Sequence, residues 1–107
     1  MKNRFNWNFE LLKAQYIGAQ AEYMRGSTPE KDAQIALDTL GGLVNRARER
    51  QGEFPGEEQY HLWLTEYIEI IEDVLSRARE SGDLESLLAE GRERITTLQD
   101  DIRLHLA

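Results

Sequence analysis

Apolar residues recur every three or four positions along almost the whole of this chain, and that spacing leaves little choice of fold. The series Phe5, Phe9, Leu12, Tyr16, Ala19 and Tyr23 alternates steps of four and three, which keeps one stripe of an α-helix facing a core. A strand needs alternation at every second position, and no run bounded by turn residues shows it. Two valines in the whole chain are few for a sheet.

The same period returns three times. Ala33, Ala36, Leu40, Leu43 and Ala47 form a second stripe with Leu37 and Val44 beside it. Tyr60, Leu64, Tyr67, Ile71, Val74 and Ala78 form a third, widened by Trp63, Ile68, Ile70 and Leu75. Leu84, Leu88, Gly91, Ile95, Leu98, Ile102 and His105 form the fourth. Between them stand helix-ending signals. Arg25 and Gly26 close the first helix, Thr28 and Pro29 open the second, Phe54, Pro55 and Gly56 make the longest break, and Ser81, Gly82 and Asp83 end the third and cap the fourth. The helices are expected over about 5–25, 29–51, 57–80 and 83–106 of one domain, 1–107.

Four helices of about 30 Å with short connections pack antiparallel to their sequence neighbours. The expected fold is all-α, an antiparallel up-down four-helix bundle; the alternative is helical hairpins that complete a bundle as a dimer. The wide apolar coverage of the third helix favours such a homodimer. No stretch is apolar enough to span a membrane or to serve as a signal peptide, so a cytoplasmic protein with no membrane partner is expected. The chain has no cysteine, which removes disulfides and thiolate metal ligands.

Net charge is −7, and residues 53–81 alone carry eight acidic and two basic side chains. Such a surface repels phosphates, so no direct nucleic-acid binding is expected. Glu66, Glu69 and Asp73, with Glu57, Glu58 and Glu72, form an acidic face suited to a basic partner, although a charged helix face also serves solubility. Arg46, Arg48, Arg50, Arg77 and Arg79 sit near the C-terminal ends of the second and third helices, where the helix dipole favours them.

Chemistry is harder to find. Glu58 and His61 have the Glu-x-x-His spacing that recurs in carboxylate-bridged metal bundles, but that chemistry needs a second copy, and Ile102 stands where the partner of His105 would supply its Glu. They are the only metal candidates, and both also read as ordinary residues near a helix start. The serines lie at turns or on polar helix faces, so no catalytic residue and no cofactor is expected.

Two features remain. Gly41 and Gly42 fall inside the second helix, where each glycine costs about 1 kcal/mol relative to alanine. Close packing of helices, helped by Ala14, Gly18, Ala21 and Gly91, is the expected reason, with a hinge or the approach of a partner as alternatives. Trp7 lies off the first stripe and Phe54 lies in a loop, so both are candidate interface anchors; alternatively Trp7 covers a neighbouring helix and Phe54 is a lid on the bundle end.

The expected function is a non-enzymatic protein–protein interaction module: a small acidic adaptor, escort chaperone or inhibitor that binds a larger protein through a helical face. One alternative is an acidic mimic of nucleic acid that inhibits a nucleic-acid-binding protein. The other is a metal-binding bundle built on Glu58 and His61.

Overall fold

A computed structural model describes residues 4–24, 29–80 and 83–106. The expected turn signals at Arg25, Gly26, Thr28, Ser81 and Gly82 lie outside the described residues. The helices are α1 (Arg4–Met24), α2 (Pro29–Gly52), α3 (Glu58–Glu80) and α4 (Leu84–Leu106). Each helix packs on its sequence neighbours and α1 closes on α4, giving an up-down four-helix bundle in which α1 is diagonal to α3.

The expected stripes form the core. Phe5, Phe9, Leu12, Tyr16 and Ala19 of α1 meet Leu40, Leu43 and Ala47 of α2, Leu64, Tyr67, Ile71 and Val74 of α3, and Leu88, Ile95 and Ile102 of α4 in one buried cluster. Trp63, Ile68 and Ile70 are buried as well, because α3 packs against both α2 and α4. The breadth of that helix is therefore used within a single chain.

Two tyrosines lie in the middle of this core. The Tyr16 hydroxyl donates to the Leu88 carbonyl at 2.7 Å, joining α1 to α4. The Tyr67 hydroxyl donates to the Leu12 carbonyl at 3.0 Å, joining α3 to α1 across the diagonal. Burial pushes both phenols well above their ordinary value, since a phenolate would lose its hydration there.

Gly91 makes room for one of them. A β-carbon at position 91 would strike the Tyr16 hydroxyl and stand 2.9 Å from a Val74 methyl. Gly41 and Gly42 differ from expectation: α2 runs unbroken through both, and a β-carbon at either would meet nothing within 4 Å. Leu40 and Leu43 supply the packing of that segment, so close helix approach does not explain the pair. The structure gives no account of why glycine stands at either position.

The α2–α3 connection is built on Pro55 and Gly56. Gly56 has φ of 81° and the Glu57 amide donates to the Phe54 carbonyl at 3.2 Å, as a type II turn with proline second and glycine third requires. At the start of α4, Asp83 accepts from the Ser86 amide at 3.2 Å, the N-cap read from the sequence. His105, the last position of the α4 stripe, is exposed, as a residue in the final turn of a helix is expected to be, and its imidazole rests edge-on against Trp63 with centroids 5.6 Å apart.

These contacts predict opposite signs for glycine substitutions. Gly91→Ala lowers stability by about 1 to 3 kcal/mol through overpacking, whereas Gly41→Ala and Gly42→Ala each raise it by about 0.5 to 1 kcal/mol. Tyr16→Phe costs about 1 kcal/mol, and Gly91→Ala costs less in that background because the hydroxyl it strikes is gone. Urea denaturation of the four single variants and the double variant measures each term.

Candidate functional site

The seam between α3 and α4 carries an open groove. The helices run antiparallel from the turn near Asp83, so residues equally far from it face each other. Asp73 reaches Arg94 at 2.8 Å and Arg77 reaches Glu90 at 2.8 Å, while Arg77 also approaches Asp73 at 3.4 Å. The Arg94 and Arg77 guanidiniums hold the Asp73 carboxyl below the usual carboxylate range. Exposed pairs of this kind contribute little to stability, but they commit both arginines to one half of the seam.

The other half is acidic. Beyond this network the same register brings Glu66 and Glu69 of α3 towards Asp101 of α4, over a floor of Ile70 and Leu98. With Glu90, Glu93, Arg94 and Thr97 they line an open groove of about 650 Å³. Among the described residues, no basic side chain forms an ion pair with Glu66 or Glu69. Asp101 lies 3.8 Å from the His105 ring nitrogen; Glu66 and Glu69 repel one another, and a bound cation relieves that repulsion.

The expected site residues therefore fall into separate places. Glu66 and Glu69 belong to the groove. Asp73 lies up the seam in the ion network. Trp7 is 54% exposed on α1, on the far side of the molecule from this seam. Phe54 is only 8% exposed and does not stand out as an anchor. Its ring packs edge-on against Phe5 at 5.5 Å and Tyr60 at 5.3 Å, where Phe5 stacks on Tyr60 at 4.3 Å. Phe54 is the lid on an aromatic bundle end, the second of its two expected readings, and its burial does not fit the interface anchor.

His61 serves the same end of the bundle. The His61 Nε2–H donates to the Phe54 carbonyl at 2.9 Å, and Gln51 donates to the His61 carbonyl at 3.1 Å, tying the loop to both flanking helices. Glu58 is exposed. Among the described residues no group of three or more His, Asp or Glu side chains could hold a metal ion, and no helix is long and apolar enough to cross a membrane. Several arginines expected near helix ends are engaged: Arg48 lies 3.5 Å from Glu72 and Arg50 lies 2.7 Å from Glu53.

The α4 half of the groove was not visible in the acidic run of α3 alone. Reflecting α3 onto α4 about the Asp83 turn would have found it, because that operation pairs Glu66 with Asp101 and Asp73 with Arg94. Compared with known protein families, known proteins and solved structures, the chain matches none.

The contrast between the two aromatics is testable by stability. Phe54→Ala is expected to cost about 3 kcal/mol or more, as removal of a packed ring does, whereas Trp7→Ala, on an exposed face, costs under about 1 kcal/mol. Equal losses in urea melts would show that Phe54 is not the lid described here.

Proposed function

We propose that this protein is a non-enzymatic binding module that docks a basic segment of a larger protein in the α3–α4 groove, as an adaptor, escort chaperone or inhibitor would. The observation that supports it most is the pairing of Glu66, Glu69 and Asp101 with an apolar floor of Ile70 and Leu98. A segment with lysine or arginine at its edges and apolar side chains between them matches both features. The apolar contacts supply affinity, and the carboxylates supply orientation and fast, salt-sensitive association.

The test uses the full chain, immobilised and exposed to native cell extract at about 50 mM and about 300 mM salt, a range over which screening of surface charges grows markedly. One protein is expected in stoichiometric amount at the lower salt, with loss at the higher. A Glu66→Lys, Glu69→Lys, Asp101→Lys variant, folded by circular dichroism, retains none of it. Equal capture by this variant would rule out the groove. Release of the captured protein by added DNA or RNA would identify the groove as a surrogate for nucleic acid, the narrower form of the same reading.

A further inference from the structure

The acidic groove continues into exposed apolar surface. Leu62, Glu66 and Glu69 follow one another on α3 in steps of four and three, and Thr97, Asp101 and Leu104 do the same on α4. Each leucine therefore extends the line of one groove wall by about one helical turn. The Trp63 and His105 rings meet with centroids 5.6 Å apart, which puts the neighbouring Leu62 and Leu104 at the same height on their two helices. Leu62 is 52% exposed and Leu104 79%, whereas Ile70 and Leu98 beneath the groove are buried. Most of the apolar surface that this seam offers a partner belongs to the two leucines.

Building on the reading that the seam docks a basic segment, we infer that the segment is an amphipathic α-helix. It lies along the seam as a third helix, with apolar side chains over Ile70 and Leu98 at one end and over Leu62 and Leu104 at the other, and with lysine or arginine on both flanks.

Hydrogen bonding selects a helix over an extended chain. The walls are the middle and last turns of two helices, whose backbone groups are largely bonded within the helix. Among the described residues lining the groove, the side-chain donors are Arg94 and Thr97, and both are engaged: Arg94 donates to Asp73 at 2.8 Å and the Thr97 hydroxyl donates to the Glu93 carbonyl at 3.1 Å. The surface is rich in carboxylate acceptors and short of donors. An extended segment pressed into it would leave backbone carbonyls without partners, whereas a helix satisfies its own.

Spacing and charge define the pattern on that helix. Ile70 stands eight residues beyond Leu62, about 12 Å along the axis. The partner covers that distance in seven or eight residues, so its apolar anchors recur at i, i+4 and i+7. Glu66 lies midway between the two apolar stations and faces Asp101 across the seam. Basic side chains on the two flanks of the partner's middle turn meet one carboxylate each, as the positions beside a coiled-coil seam do. Towards the Asp83 turn the requirement for positive charge ends, because Arg77 and Arg94 already balance Glu90 and Asp73 there.

Fluorescence anisotropy of the full chain with three labelled peptides of about 18 residues, about 27 Å long when helical, is the test. The first has leucine at heptad positions a and d and lysine at e and g, the second has the same composition in an order that leaves no apolar stripe, and the third has glutamate in place of lysine. The first is expected to bind with a Kd on the order of 10 µM. It is also expected to gain helical circular dichroism on binding, since a peptide of this length is only marginally helical in water. The other two are expected to bind at least tenfold more weakly. Leu62→Ser with Leu104→Ser, both at exposed positions, is expected to weaken the first peptide at least tenfold and to leave the second unchanged. Equal binding of the first two peptides, or a leucine double variant that binds the first as well as the parent chain does, would overturn the helical partner while leaving a groove for basic segments. Failure of both lysine peptides to bind would overturn the helical partner and that underlying reading together.

Discussion

Two phenol hydroxyls buried in an apolar core fix how three of the four helices, α1, α3 and α4, sit against one another. A buried hydroxyl without a partner costs about 1 to 3 kcal/mol, and apolar stripes alone would tolerate a helix sliding along its neighbour. Tyr16 and Tyr67 each have one carbonyl within reach, those of Leu88 and Leu12. A shift of α1 by one residue would disturb both bonds, because it carries the Tyr16 donor and the Leu12 acceptor. The bare backbone of Gly91 is the counterpart that lets Tyr16 reach its place.

The outer features follow from that register. With α1 held against α4, Lys13 meets the buried Gln99 at 2.8 Å and Arg103 meets Glu10 at 3.2 Å. With α3 and α4 in step, Asp73 faces Arg94, the basic residues of the seam are spent at one end, and Glu66, Glu69 and Asp101 converge at the other. The result is a molecule of two characters, an acidic groove between α3 and α4 and an uncharged ridge along α1.

Much of the fold could be read from residue spacing, because a core stripe leaves its period in the sequence. Phe9, Leu40, Ile71 and Ile95, all expected in the core, are fully buried. What spacing could not supply was the relation between helices. Whether Gly41, Gly42 or Gly91 is pressed by a neighbour depends on what lies across the interface, and only Gly91 proved to be. Phe54, in a loop, is open from sequence to both an anchor and a lid, and the Pro55–Gly56 turn decides for the lid by folding its ring back over Phe5 and Tyr60. Glu66 and Glu69 could be identified as an acidic run, whereas their meeting with Asp101 depends on the hairpin register.

The most direct measurement of that register is a spectrophotometric titration of a Tyr23→Phe, Tyr60→Phe variant, in which Tyr16 and Tyr67 are the remaining tyrosines. The folded state holds both phenols protonated above their ordinary value of 10.0, while the unfolded chain begins to release these protons near that value. Stability is therefore unaffected by these groups below about pH 10 and falls as pH rises past it, by up to about 2.7 kcal/mol per pH unit for the two together. Phenolate absorbance is predicted to appear in step with loss of the helical circular dichroism signal. Phenolate forming near pH 10 with the helices intact would contradict the buried tyrosine locks.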